Sequence, residues 1–179
     1  MEDTEILLRN AMEHHGAAVY RLALCRMQSV QDAEDVYQDV FLRLLDQNAA
    51  SWDEAHLRAW LLRCTVNRCC DLHRFRLRRP ALALADLPEM EAEADSGAAG
   101  LWDAVARLPE KLRVPIHLYY AEGYSTEEIA GLLEIPAATV RTRLRRARNK
   151  LHDLLEGDDH EEERLSGFDG AYPAPRRAE

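Results

Sequence analysis

Between residues 32 and 45, DAEDVYQDVFLRLL, apolar side chains fall at 33, 36, 37, 40, 41, 44 and 45. Recurrence at i, i+3, i+4 and i+7 lays one apolar stripe along a helix. Asp32, Glu34 and Asp35 open it, where the helix dipole favours acids. Residues 4–28 read as one long helix or two. HLRAWLLRCTVNRCCDLHRFRLRR (56–79) reads as another long helix or a bent pair, after a loop NAASWDEA at 48–55. Within it Trp60 falls in register with Leu57, Leu61 and Cys64, which predicts a core position.

A second block begins at LWDAVARLPEKLRVPIHLYYAEG. Pro109 and Pro115 should start or bend helices, and Gly123 can end one in a left-handed conformation. In the STEEIAGLL stretch that follows, Ser125 and Glu128 have the spacing of a capping box, and Ile129, Ala130, Leu132 and Leu133 supply an apolar face. EIPAAT then reads as a tight turn, with Pro136 suited to the first turn of the next helix. On that helix Val140, Leu144, Ala147 and Leu151 share one face, at spacings of four, three and four. No convincing period-two alternation occurs, so the predicted class is all-α: two small helical domains, 1–79 and 101–156, the second with a helix-turn-helix.

Between and after them the periodicity fails. PALALADLPEMEAEADSGAAG (80–100) reads as a flexible acidic linker and residues 157–179, with DDHEEE, as a disordered acidic tail. Charge follows the same division: the net is −1 over 1–79, −5 over 80–100, +1 over 101–156 and −4 over 157–179, for a total of −9. The N-terminus is acidic and charge-interrupted, unlike a signal peptide, and no run approaches the ~20 apolar residues of a membrane span. A cytoplasmic protein with reduced cysteines is expected.

Against that acidity, TVRTRLRRARNKL (139–151) holds six Arg or Lys in its first twelve positions and no acid. Arg141, Arg145 and Arg148 flank the apolar stripe on one side, and Arg143, Arg146 and Lys150 on the other. A solvated basic face would explain an isolated RLRRAR. A capped helix, a tight turn and a basic helix with its own core stripe make a helix-turn-helix instead, whose second helix enters the major groove by its first residues. Thr139, Arg141, Thr142, Arg143, Arg145 and Arg146 are the candidate DNA contacts, to phosphate or base edges.

LPEKLRVPIHLYYAEG with YSTEEIAGLLEIPAATVRTRLRRARNKL resembles the promoter-binding domain four of bacterial sigma factors of the extracytoplasmic-function (ECF) class, in the sigma-70 superfamily. DAEDVYQDVFLRLL resembles the family's core-polymerase-binding helix, and HLRAWLLRCTVNRCCDLHRFRLRR its melting and downstream-element helix pair. The resemblance covers about residues 4–155 in family order. Ala138 stands where many members have glycine, and RMQSVQDAED lacks the common Gly-Asp.

The resemblance implies a non-catalytic initiation subunit. It aligns Asp35, Gln38 and Asp39 with contacts to the clamp helices of core RNA polymerase; the plainer reading of these three is solvent exposure. It aligns Asn67 with a reader of the downstream promoter element and 48–55 with a loop that receives a flipped base, on which Trp52 either stacks or, packing at a helix boundary, does not. Arg74, Arg76, Arg78 and Arg79 are expected at the DNA backbone. Implied partners are promoter DNA, the polymerase clamp and flap, and an anti-sigma factor, often membrane-bound.

Cys64, Cys69, Cys70 and His73 invite a metal, but no second pair completes a tetrahedral site, so no metal is expected. His14 and His15 are expected at the surface. Neither a phosphate loop nor a catalytic triad occurs, so no enzyme activity, cofactor or small-molecule substrate is expected. The rivals are an autonomous helix-turn-helix transcription regulator and a helical adaptor that binds no DNA. The polymerase-type helix argues against the first and the basic helix against the second.

Overall fold

The amphipathic periods become seven α-helices and one 3-10 turn among the described residues. The structure, a computed structural model, describes residues 2–78 and 98–157. Arg79, positions 80–97 of the expected linker and the expected tail from Asp158 onward lie outside them. The chain divides into two units, residues 1–89 and 90–179.

In the first unit α1 (Glu2–Met27), α2 (Val30–Leu45) and α3 (Glu54–Arg78) pack on one another. Both long stretches are single helices, neither split nor bent into a pair. Gln28 turns the chain out of α1 with φ 50°, and Ser29 caps α2 by accepting from the Asp32 N–H at 3.3 Å. Val19, Leu22 and Ala23 of α1, Val36, Val40 and Leu44 of α2, and Leu61, Leu62 and Cys69 of α3 are each almost fully buried in this three-helix unit. Each such Leu side chain is worth about 1.5–3 kcal/mol in apolar burial. Gly16 lets α1 and α2 approach closely: a Cβ there would lie 2.8 Å from the Tyr37 hydroxyl.

Three expectations need correction here. His15 is buried, because its position on α1 faces the start of α3, where Nε2 lies 2.8 Å from Glu54 Oε1. His14 alone is exposed. Trp60 sits at the edge of the core, half-covered, because its ring turns toward Trp52. Leu45, counted in the apolar stripe of α2, is 40 % exposed because that stripe ends at Leu44.

The second unit contains α4 (Ala98–Ala106), α5 (Glu110–Tyr120), α6 (Thr126–Leu133) and α7 (Ala137–Gly157). Helix α4 begins three residues inside the expected linker; alanine, the strongest helix former, extends the LWDAVA helix backward. Pro109 occupies the N-cap of α5, and the helix continues through Pro115, which cannot donate the bond to the Lys111 carbonyl. Arg113 is buried and donates to the carbonyls of Leu108 at 2.6 Å and Ala106 at 3.2 Å, closing the end of α4. Gly123 has φ 74°, as its place after α5 required. No described helix is long and apolar enough to cross a membrane.

Candidate functional site

The outer face of α2 follows from its inner one. With Val36, Val40 and Leu44 buried, Asp35 and Gln38 are left exposed. Leu42, 60 % exposed, and Leu45 continue the same side at helical spacing. Two acceptors and two apolar groups thus lie in one line. Asp39 differs: it is half-buried, and its Oδ2 accepts from Arg68 Nε of α3 at 2.5 Å. It was expected to be as open as Asp35. One turn along the helix brings it against α3 instead.

The loop before α3 is more ordered than its sequence suggested. Ala49–Ser51 forms the 3-10 turn. Asp53 then caps α3, its Oδ1 accepting from the His56 N–H at 2.7 Å. The half-exposed Trp52 ring stacks on His56, centroids 4.7 Å apart and planes 23° apart, and meets Trp60 at 5.5 Å. Trp52 therefore packs at a helix boundary, with part of its ring left uncovered.

Along α3 the exposed residues Arg63, Asn67, Asp71, Arg74 and Arg78 form one stripe. Asn67 and two of the expected arginines share it. Arg74 lies 3.6 Å from Asp71, a contact between exposed groups. Arg76 does not share it. At ~100° per residue it stands half a turn round from Asn67, and it pairs with Asp32 of α2, a carboxylate only 7 % exposed as a residue. Asp32 and Arg76 thus join α2 to α3. Neither this pair nor Asp39–Arg68 was evident from single-helix patterns, because each partner lies on a different helix.

The cysteines serve packing. Cys64 and Cys69 are buried, and burial pushes the Cys64 thiol up. Cys70 Sγ accepts from Arg26 Nη2 at 3.3 Å. Among the described residues no three His, Cys, Asp or Glu side chains gather as metal ligands.

In the second unit, the Ser125 hydroxyl accepts from the Glu128 N–H at 3.2 Å, while Glu128 Oε2 accepts from the Ser125 N–H at 2.8 Å. Both halves of the capping box are present. Glu134 closes α6 in the left-handed region, φ 55°, and Pro136 is the residue before α7, its carbonyl accepting the Thr139 and Val140 N–H groups. Val140, Leu144, Ala147 and Leu151 are all buried. Their burial fixes the rotation of α7 and leaves Arg141, Arg145, Arg146, Arg148 and Lys150 exposed. Thr139, Thr142 and Arg143 are half-covered; the Thr142 hydroxyl donates to the Ala138 carbonyl at 2.9 Å and keeps its lone pairs for a donor.

Arg141 Nη1 lies 3.3 Å from Glu127 Oε1 at the start of α6. The Thr126 hydroxyl and a backbone N–H hold the Glu127 carboxyl below its usual range, with Arg141 adding to them. Both partners are largely exposed, so water screens the pair and Arg141 can leave it at little cost. Arg148 Nη1 donates to the Tyr120 hydroxyl at 3.2 Å, tying α7 to α5.

This arrangement is shared with known proteins. The family "Sigma-70 region 2" matches residues 11–79 and "Sigma-70, region 4" matches residues 99–151. The ECF RNA polymerase sigma factor SigL of Mycobacterium tuberculosis is 32 % identical over 158 residues, covering 84 % of this chain and 89 % of that protein. SigE of Mycolicibacterium smegmatis is 32 % identical over 154 residues, 80 % of this chain but only 60 % of that relative's length. Among solved structures, CnrH in complex with the cytosolic domain of CnrY aligns at TM-score 0.60 and 29 % identity, over 86 % of this chain and 90 % of that one. The sigma factor RpoE in complex with the anti-sigma factor NepR from Bartonella quintana aligns at TM-score 0.67 over 84 % of this chain and 97 % of that one; at 24 % identity it speaks for the fold alone. The chain belongs to the sigma-70 family of RNA polymerase sigma factors, in its ECF class.

Proposed function

We propose that this sigma factor docks on core RNA polymerase through the outer face of α2, with Asp35 and Gln38 as its polar contacts. It meets the downstream promoter element with Trp52, Asn67, Arg74 and Arg78. It reads the upstream element with Thr139, Arg141, Thr142, Arg143, Arg145 and Arg146. Asp39 and Arg76 support these surfaces from within by joining α2 to α3. Arg79 extends the basic end of α3 in sequence. A sigma factor is a non-enzymatic initiation factor, so no catalytic residue, cofactor or substrate enters this reading.

One observation carries it. The apolar stripe of α7 is fully committed to the core of its unit, and so the basic residues beside a capped α6 can only face outward. A basic helix held in that rotation presents side chains to phosphates and to base edges at once. CnrH, the 29 % identical neighbour, is seen in complex with the cytosolic domain of CnrY. By analogy an anti-sigma protein that covers these surfaces restrains this chain. The place of action is the cytoplasm, where polymerase and promoter meet. Run-off transcription with purified core polymerase tests the reading: a discrete transcript requires the chain, and none forms with core alone.

A further inference from the structure

Two alanines, Ala137 and Ala138, open α7, and its first charged side chain is Arg141. That arginine also meets a carboxylate. Arg141 Nη1 lies 3.3 Å from Glu127 Oε1, and the Thr126 hydroxyl donates to the other oxygen, Oε2, at 2.9 Å. Arg145 and Arg146, one turn further on, are exposed and have no ion pair among the described residues. The Glu127 carboxyl is charged at neutral pH, because the Thr126 hydroxyl and a backbone N–H hold it below its usual range. A carboxylate costs affinity at any surface that meets phosphates, and the first helix of a helix-turn-helix, here α6, crosses the DNA backbone. The capping of α6 does not need Glu127, since Ser125 and Glu128 supply both halves of the box.

We infer that Glu127 is a specificity-determining residue: it positions Arg141 on a guanine edge and keeps it from the phosphates. This rests on the sigma-factor reading above, which uses Arg141 but not Glu127. A guanidinium carries five N–H donors. One on Nη1 serves Glu127, and the others remain for O6 and N7 of a guanine, so the base contact leaves the surface pair intact. Turning to a phosphate instead breaks the pair and strands Glu127 beside the backbone. The same carboxylate thus supports the base contact and opposes the phosphate contact, which is discrimination by repulsion as well as by attraction. In the free protein water screens the pair. Once DNA covers it, the local dielectric falls and the pair strengthens. Arg145 and Arg146, with no acid beside them, suit phosphates.

The test uses holoenzyme assembled from the full chain and core polymerase, and duplex promoters that the wild-type holoenzyme selects from a random pool. The upstream position whose preference is lost in Arg141→Ala is expected to hold a guanine. Replacing that base by 7-deazaguanine, which lacks the N7 acceptor, should weaken wild-type binding by about 10-fold. In Glu127→Ala the penalty should shrink by about 5-fold, the scale of one surface pair, because Arg141 is no longer held on the base. Promoters without the guanine should bind this variant more tightly than wild type, with a salt dependence steeper by about one charge, as Arg141 takes up a phosphate. Glu127 is exposed and alanine is a strong helix former, so helicity should be retained, and circular dichroism checks it. A 7-deazaguanine penalty undiminished in Glu127→Ala overturns the proposal. So does a gain in affinity equal for every sequence, which makes Glu127 a general repellent of DNA. An Arg141→Ala holoenzyme that still selects every base of the wild-type promoter overturns it too, and leaves the sigma-factor reading standing. If the wild-type holoenzyme selects no promoter at all, the sigma-factor reading fails, and this proposal with it.

Discussion

Arg68 Nε of α3 sits 2.5 Å from Asp39 Oδ2 of α2. The bond ties the helix proposed to dock on polymerase to the helix proposed to meet DNA. Arg76 and Asp32 repeat the connection two turns along α3. The two helices therefore move as one body, and docking on one sets the position of the other.

Asp35 and Asp39 should consequently behave differently on substitution. Asp39→Ala leaves Arg68 half-buried without its carboxylate and should cost about 1 kcal/mol of stability, together with some core affinity. Asp35→Ala, at an exposed site, should leave the urea midpoint unchanged while weakening core binding. Paired urea titrations and competition for core polymerase check this. Equal stability loss in both variants would mean that Asp35 is also structural.

Gly16 and Tyr37 form a second coupled pair. Gly16→Ala gains helix propensity of about 1 kcal/mol but drives a methyl to 2.8 Å from the Tyr37 hydroxyl. The ring is held by Tyr20 and Phe41, with centroids 6.4 and 4.8 Å away, and cannot swing clear without disturbing them. The single variant should be less stable than wild type by about 1–3 kcal/mol, the usual range for overpacking. Adding Tyr37→Phe removes the hydroxyl and should recover most of the loss. A double-mutant cycle by thermal unfolding measures the coupling; additive effects would show that the helices relax freely.

His15 makes the first unit sensitive to acid. Burial lowers its pKa from the ordinary 6.5, against the opposing pull of Glu54. The folded state thus prefers neutral imidazole, and the unfolded chain binds more protons below about pH 6.5. Stability is full above that pH and falls as the solution is acidified through it toward the lowered folded-state value. His15→Gln should flatten this dependence between pH 7 and 5. Unfolding midpoints across that range give the answer, and an unchanged slope in the variant would contradict it.

Much of this architecture was legible in the sequence, because the signals are local. The capping box at Ser125 and Glu128, the left-handed Gly123 and the buried stripe Val140, Leu144, Ala147 and Leu151 each depend on residues within one or two turns of each other. What escaped depends on residues far apart in the chain. Asp32 reads as a dipole-favoured first-turn acid, yet it is a buried partner of Arg76, 44 positions away. His15 reads as polar surface because its partner, Glu54, lies on another helix. Arg74, Arg76 and Arg78 read as one basic cluster, although alternate residues on a helix point to different sides. Helical spacing alone separates Arg76 from the others; identifying Asp32 as its partner required the packing of α2 on α3.

Removing single arginines of α7 tests the upstream reading. Arg141→Ala and Arg145→Ala should each weaken upstream-element binding by holoenzyme and lower the salt dependence by about one charge if a phosphate contact is lost. Arg141→Ala also releases Glu127, so Glu127→Ala serves as the control that separates loss of the surface pair from loss of a DNA contact. Unchanged promoter affinity in both arginine variants, with intact helicity, would remove these residues from the interface.

The measurement that decides most directly is a gel-shift titration of the full chain on a promoter selected by its holoenzyme, with and without core polymerase. The chain carries a net charge of −9, and its two helical blocks, 1–79 and 101–156, are close to neutral. Its long-range field therefore opposes DNA, whose non-specific attraction is electrostatic. Two small reading surfaces on one chain reinforce each other only when their spacing is fixed, which docking on polymerase accomplishes. Weak binding alone and strong, sequence-specific binding on addition of core is the predicted result. Nanomolar specific binding by the chain alone, unchanged by core, would contradict it and describe an autonomous helix-turn-helix regulator instead.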